Sequence, residues 1–213
     1  PISYSAPADK LPDFVFDAAM TSVAGNKIVL ASRLNVPLSP GWIADKDGNP
    51  IMEEVNIEEL NHEDESKNLE NRYNKGYISS SVDLLPFGGT REIGSHKGYS
   101  MAVVVDILAG ILNGTRTAPT GEYKNQGHFV AAYDIDAFMD KKEFKELMDR
   151  YLQSFLDLPS NSEGKKVVYA GYLESIEESK RSEFGIPLHK EVVDWFKKIS
   201  VELNTETLWK KSI

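Results

Sequence analysis

The chain has 213 residues, 41% of them hydrophobic, so it is long enough to bury the core of one large domain, with or without appendages. Its 33 acidic and 24 basic residues give a formal net charge of -9, which disfavours nucleic acid because an acidic surface repels phosphates. The absence of cysteine excludes disulfides, thiolate nucleophiles and cysteine-based zinc sites, and it favours a reducing compartment such as the cytoplasm.

The sequence shows no sign of membrane insertion or of a metal site. The longest apolar run, Met101 to Leu112, is too short to span a bilayer, and the first ten residues lack the features of a secretory signal. The four histidines are too scattered to predict a metal cluster. Because the chain starts at Pro1 without an initiator methionine, we expect a processed chain or a piece of a longer polypeptide.

The amino-terminal part predicts a pair of strands followed by a helix. Residues 2–6 and 13–18 are β-favouring runs separated by a proline-containing turn. Residues 27–34 carry apolar side chains at helical spacing, and Ser22 is placed to cap that helix. The later sequence DKDGNP, residues 45–50, is typical of an Asp-Gly turn. A calcium loop is disfavoured because its glycine falls at position four rather than six.

The remaining pattern alternates charged, apolar and amphipathic segments. Residues 53–75 are strongly charged and predict a solvated insertion. Residues 100–112 are apolar all round, which predicts a buried helix. The other predicted elements are strands at 128–134 and 166–171 and helices at 141–158, 173–182 and 190–203. We therefore predict an α+β fold: a two-layer sandwich of helices on a mixed, largely antiparallel sheet.

A glycine-rich turn, GGTREIGSHKGYS at residues 88–100, opens the apolar helix. Backbone amides, an imidazole and a lysine at a helix N-terminus predict an anion site, although a purely structural turn accounts for the same residues. Neither the Walker pattern nor GxGxxG is present, so a P-loop ATPase, a kinase and a Rossmann dehydrogenase are disfavoured.

Three further polar residues are candidate site residues. Asp17 lies in an apolar strand, where it fits either the mouth of a cofactor site or a backbone-capping role. Asp106, inside the apolar helix, fits a structural hydrogen bond or ion pair. His128 fits a half-buried structural histidine, and no GxSxG elbow accompanies any histidine.

Several blocks together resemble the malate/L-lactate dehydrogenase family, which also contains ureidoglycolate, sulfolactate and 2,3-diketogulonate oxidoreductases. The blocks begin with VFDAAM and continue through LLPFGG, SHKGYSMAVVVDILAGILNG, GHFVAAYDIDAF and GIPL. The likeness runs from Pro1 to about Phe196, apart from the charged insertion. It implies a non-Rossmann oxidoreductase, usually a homodimer, that moves hydride between NAD(P)H and C2 of a 2-oxo acid. NAD is the expected cofactor and NADP the alternative, with malate or lactate as the expected substrate.

The resemblance also implies which residues contact the cofactor, in three segments. They are the strand residues Phe14, Val15, Phe16, Asp17, Ala18, Ala19 and Met20, the pair His96 and Lys97, and the turn residues Gly171, Tyr172 and Leu173. Relatives often have Pro-Gly-Glu at the last turn, where this chain has Ala170, Gly171 and Tyr172, so that contact is expected through the backbone.

The family's acid/base histidine belongs to a region upstream of the segment that Pro1 continues, and it matches no histidine in this chain. The catalytic residues are therefore unknown. The resemblance implies a cofactor-binding domain at 1–172, with C-terminal helices at 173–213 packing on it or on the missing N-terminal region. An alternative is a catalytically silent domain used for dimerisation or ligand sensing, and a second alternative is an enzyme acting on ureidoglycolate, sulfolactate or diketogulonate.

Overall fold

A computed structural model describes residues 1–56, 82–115, 127–161 and 164–206 of the chain. The chain divides into two compact units. Unit 1 comprises Pro1–Ser5 and Val15–Lys141, and unit 2 comprises Ala6–Phe14 and Lys142–Ile213. These boundaries differ from the domains expected from the sequence, whose assignment as cofactor-binding and C-terminal parts stays a prediction.

Before residue 115, the described residues form two small sheets and two α-helices. Their bounds are β1, Ile2–Ala6; β2, Phe14–Ala18; α1, Gly25–Leu34; β3, Ile43–Asp45; β4, Val82–Leu84; and α2, Ser95–Ala109. Strand β1 pairs with β2, as the two β-favouring runs predicted, and β3 pairs with β4 in antiparallel register. A 3₁₀ turn at Ile111–Asn113 follows α2 and ends at Gly114, which has a φ of 78°.

The core of unit 1 lies between α1 and the β3–β4 pair. Ile28 and Ala31, three residues apart on one face of α1, are buried with Val23, Leu38 and Ile43. The helix ends at Asn35, whose φ of 51° is left-handed, and its amide hydrogen bonds to helix carbonyls. Helical spacing of apolar residues therefore predicted α1 correctly. Ser22 does not cap it, because Ala24 is at the N-cap position.

Helix α2 forms where the sequence predicted a helix, but the prediction that it is buried is wrong. Within the described residues Gly98 is its only buried residue. Val104 is 47% exposed and Ile107 is 46% exposed, and Asp106 is exposed as well. An apolar surface around a helix predicts that something covers it, but the sequence does not say which element does so.

Unit 2 is mainly helical. It contains α3, Lys141–Leu156, whose first residue falls in unit 1, followed by α4, Tyr172–Phe184, and α5, Lys190–Glu202. Its core is formed by Ala8, Leu152 and Tyr169, with further apolar side chains packed on them. All three predicted helices are present, and Gly185 ends α4 at the predicted break.

The predicted strands at residues 128–134 and 166–171 are not strands in the structure, so this part of the prediction is wrong. The described residues of both segments carry no regular strand assignment, and Val130 is 88% exposed. β-favouring composition does not suffice, since a strand also needs a hydrogen-bonded neighbour. The described part of the chain thus mixes helices with two two-stranded sheets, and one large sheet is not seen there.

Candidate functional site

The chain just after β2 is hydrogen-bonded to the start of the glycine-rich turn. The Phe87 amide donates to the Met20 carbonyl at 3.0 Å, and the Ser22 amide donates to the Leu85 carbonyl at 2.8 Å. The Ser22 hydroxyl donates to the Pro86 carbonyl at 2.7 Å. These bonds join segments more than 60 residues apart in sequence. The end of the predicted cofactor strand is therefore fixed against the segment that leads into α2.

The glycine-rich turn is closed by backbone packing. Gly88, Gly89 and Gly94 have φ values of 98°, 71° and 112°, a region that favours glycine. A Cβ atom added to Gly88 would lie 2.6 Å from the carbonyl carbon of Gly94. The two ends of the turn are thus in direct backbone contact, and a side chain at Gly88 would separate them.

Gly98 holds the first turn of α2 against the same segment. A Cβ atom at Gly98 would overlap the Phe87 carbonyl oxygen and would lie 2.7 Å from the Phe87 Cβ. Gly98 is buried, whereas neighbouring His96 and Lys97 are exposed. Phe87 therefore contacts both the predicted cofactor segment, through Met20, and the helix start, through Gly98. Two of the three predicted cofactor segments are linked in unit 1 through this one residue.

The helix start offers an exposed cation, while some of its amides are already occupied. Gly94 is the N-cap residue and makes no side-chain cap. The Ser95 amide donates to the Thr90 carbonyl at 2.9 Å, and the Lys97 amide donates to the Gly94 carbonyl at 2.9 Å. These two amides therefore already donate to carbonyls within the turn, whereas the Lys97 side chain is exposed to solvent.

The same turn also carries a carboxylate, that of Glu92. Its own backbone amide, the Thr90 side chain and the charge of Arg91 together hold the pKa of Glu92 below its usual value. Glu92 and Arg91 are both exposed. Their opposite charges leave Lys97 as the remaining cationic side chain between residues 88 and 100.

Strand β2 exposes much of its length. Val15 is 49% exposed and Phe16 is 36% exposed, and Asp17 is also exposed. The two-stranded sheet therefore leaves the Asp17 side chain in contact with solvent, and its place at the mouth of a cofactor site stays a prediction. The other predicted residues of the segment are partly buried, namely Phe14, Ala18, Ala19 and Met20.

The third predicted segment lies in unit 2, at the start of α4. Gly171 is the N-cap residue with a φ of 95°, and its carbonyl accepts from the Ser175 amide at 3.0 Å. Tyr172 packs against the unit 2 core beside Phe14, while Leu173 is 53% exposed. The structure thus brings the first residue of β2 and the first residue of α4 onto one cluster. Their assignment as cofactor contacts stays a prediction.

The other sequence candidates have structural roles or no visible site. The Asp45 carboxylate accepts from the backbone amides of Asp47, at 2.9 Å, and Asn49, at 2.8 Å, which closes the predicted turn. The side-chain amide of Asn49, its backbone and two further amides hold the pKa of Asp45 below its usual value. His128 is exposed, contrary to the half-buried expectation. In the described ranges no three potential ligands are grouped as a metal would require.

The linking roles of Ser22 and Phe87 do not follow from the sequence. The sequence predicts Ser22 as a helix cap, whereas its hydroxyl donates to the Pro86 carbonyl, 64 residues away. The signal for Phe87 was its position in LLPFGG, directly before the two glycines. No local pattern shows that a phenylalanine backbone will pack on a glycine eleven residues later, because that contact depends on how the turn folds back.

Comparison with known proteins agrees with the resemblance seen in the sequence. Among solved structures, malate dehydrogenase from Entamoeba histolytica has a TM-score of 0.77 and 24% identity, over 97% of this chain and 55% of that one. Sulfolactate dehydrogenase from Methanocaldococcus jannaschii has a TM-score of 0.63 and 22% identity, over 96% of this chain and 52% of that one. At these identities the likeness shows the fold alone, which is the fold seen in malate and sulfolactate dehydrogenases.

The sequence matches are more specific. A profile of the malate/L-lactate dehydrogenase family matches residues 1–197. The malate/(S)-sulfolactate dehydrogenase of Methanothermus fervidus is 31% identical over 216 residues, covering 98% of this chain and 54% of that protein. The malate dehydrogenase of Pyrococcus horikoshii is 28% identical over 216 residues, covering 98% and 53%. The chain belongs to the malate/L-lactate dehydrogenase family, and it spans about half the length of the curated relatives it matches.

Proposed function

We propose that this chain is the cofactor-binding part of an NAD(P)-dependent oxidoreductase that transfers hydride between nicotinamide and a small 2-hydroxy or 2-oxo acid. The observation that carries the proposal is the link made by Phe87, which joins the end of strand β2 to the start of helix α2 where His96 and Lys97 are exposed. An exposed cation and a partly apolar strand that are linked through one residue suit a dinucleotide, which has both an anionic pyrophosphate and flat rings.

The residues present fit such a cofactor. The Lys97 ammonium would hold a phosphate or a substrate carboxylate, and His96 would lie beside the same anion. Residues Phe14 to Met20 would lie along the cofactor, and Gly171 to Leu173 would contact it mainly through the backbone. The bound nicotinamide supplies the hydride chemistry, while these residues bind and orient it. A proton donor is not assigned among the residues of this chain.

The substrate proposal rests on the chemistry that the relatives' names share. Malate and sulfolactate carry a carboxylate on the carbon that bears the hydroxyl, and one further relative, 28% identical over 146 residues, is a Δ1-pyrroline-2-carboxylate reductase. All three place a carboxylate next to the carbon that exchanges hydride. We therefore propose a 2-carboxylate substrate of the malate or lactate type.

NAD is proposed as the cofactor, with NADP as the alternative. A (2R)-3-sulfolactate dehydrogenase from Chromohalobacter salexigens, 24% identical over 165 residues, has NADP(+) in its name, so relatives do not all point to one dinucleotide.

We also propose a homodimer in the cytoplasm, which rests on the family resemblance and the cysteine-free composition. None of the helices in the described ranges has the length and apolar character needed to cross a membrane.

Titration of the 213-residue chain with NADH and with NADPH, followed by fluorescence, tests the proposal. Binding of either dinucleotide is expected, and Lys97→Ala should weaken it by roughly tenfold or more, because a charge-assisted bond contributes roughly 1.5–3 kcal/mol. Lys46→Ala is the matched control, since Lys46 is also exposed in unit 1 but lies in the Asp45 turn. If neither dinucleotide binds, the proposal fails and a silent domain becomes the better explanation.

A further inference from the structure

The connection between β1 and β2 is held by a carboxylate from a distant helix. The backbone amides of Asp9, Lys10 and Leu11 all donate to the Asp149 carboxylate of α3, each at 3.1 Å to Oδ1. The Lys10 amide also donates to Oδ2 at 2.9 Å. One carboxylate thus accepts from three consecutive amides and fixes the backbone of this turn, although Asp149 is 138 to 140 residues away in the sequence.

Two further bonds hold the turn on either side of that carboxylate. The Tyr169 hydroxyl donates to the Pro12 carbonyl at 2.8 Å, and the Ala8 amide donates to the Asp13 carboxylate at 2.8 Å. Burial, together with electrostatic repulsion from Tyr172, Asp149 and Asp13, raises the pKa of Tyr169 above its usual value. The Lys145 ammonium lies 3.8 Å from the Asp9 carboxylate.

The turn at residues 9–12, which Asp149 and Tyr169 hold, leads directly into residues that the proposed function uses. Phe14, the first residue of β2, and Tyr172, the first residue of α4, both pack on the core of Ala8, Leu152 and Tyr169. The Tyr169 and Tyr172 rings are 5.3 Å apart between centroids. Asp149 is three residues before Leu152 on α3, so the Asp149 carboxylate and the Leu152 side chain lie on the same face of that helix.

We propose that Asp149 is a positioning residue for cofactor binding. By holding the turn at residues 9–12, its carboxylate sets where Phe14 enters β2, and Tyr169 transmits the same placement to the start of α4 through Tyr172. Asp149 itself does not contact the cofactor. This role rests on the proposed function, because it matters for binding only if these two segments meet the dinucleotide.

The test compares dinucleotide affinity in two variants at a temperature where far-UV circular dichroism shows both folded. Asp149→Asn removes the charge and one acceptor oxygen, and it should weaken NADH binding by about tenfold, the scale of coupling between a distant contact and a site. Met148→Ala is the matched control. Met148 packs on the same core, so its truncation lowers stability without touching the amides of the turn.

Each outcome bears on the proposal. Weaker NADH binding in Asp149→Asn but not in Met148→Ala supports it, whereas unchanged binding, or an equal loss in both variants, overturns it. Should Asp149→Asn fail to fold, Tyr169→Phe replaces it, because only the hydroxyl bond to Pro12 is lost. That variant should weaken binding by about threefold, and unchanged affinity there would overturn the proposal. Absence of binding by the unaltered chain overturns the proposed function, and this role with it.

Discussion

Gly98→Ala tests the contact that links the helix start to Phe87, because two physical effects predict opposite signs. Alanine inside a helix is favoured over glycine by about 1 kcal/mol, so helix propensity alone predicts a more stable chain. In the structure, however, the added Cβ atom would overlap the Phe87 carbonyl oxygen and would lie 2.7 Å from the Phe87 Cβ atom. Non-bonded carbon atoms pack best at about 3.5–4.0 Å, so the backbone would have to move by about 1 Å.

The steric cost should exceed the gain in propensity. Forcing an extra methyl group into packed surroundings costs about 3 kcal/mol at the upper end of its usual range, and the nearest atoms here are backbone rather than the end of a flexible side chain. The net loss of about 2 kcal/mol corresponds to a fall in Tm of about 4–8 °C for a chain of this size. Movement of Phe87 would also strain its hydrogen bond to the Met20 carbonyl, so NADH affinity should fall as well.

Urea and thermal unfolding of the 213-residue chain measure the effect. Gly48→Ala is a useful comparison, because Gly48 has a φ of 83° with open space around the added atom, so it reports backbone strain without a steric clash. A Tm for Gly98→Ala that equals or exceeds that of the unaltered chain would refute the contact with Phe87, and with it the argument that this residue joins two cofactor segments.

Three further predictions concern individual features. Ser22→Ala should lower the free energy of unfolding in urea by about 1 kcal/mol, because the bond to the Pro86 carbonyl is lost. A loss of α1 helicity would instead indicate that Ser22 caps that helix. Val104→Lys should change unfolding free energy by no more than about 0.5 kcal/mol, because this α2 residue is 47% exposed; a loss near 3 kcal/mol would show that it is buried. The third prediction is a pH dependence at Asp149. Partial desolvation raises the pKa of Asp149, but the amides of Leu11, Lys10 and Asp9 outweigh it and hold that pKa below its usual value. The Tm difference between the unaltered chain and Asp149→Asn should therefore be full near neutral pH and disappear as the pH falls through the folded-state pKa, and a difference that persisted in acid would contradict this account.

Local sequence patterns were sufficient for most of the helices and for the first pair of strands. Apolar spacing predicted α1, α3 and α5 because a helix shows its buried face at intervals of three and four residues. The same approach predicted strands at 128–134 and 166–171 that the structure does not form, since composition cannot supply a strand's hydrogen-bonding partner. It also predicted that α2 is buried. That prediction was wrong because an apolar helix surface does not identify the element that would cover it.

The sequence by itself determined the family, the elements that carry the candidate residues and the exclusion of Walker and GxGxxG sites, because these depend on residue types at short, fixed spacings. Only the tertiary structure decided that Phe87 joins Met20 to Gly98 and that Asp149 holds three amides of a turn about 140 residues away. In each of these contacts at least one partner is a backbone group, which every residue carries, so local residue types do not show where the contact forms. They are set by where the chain folds back on itself.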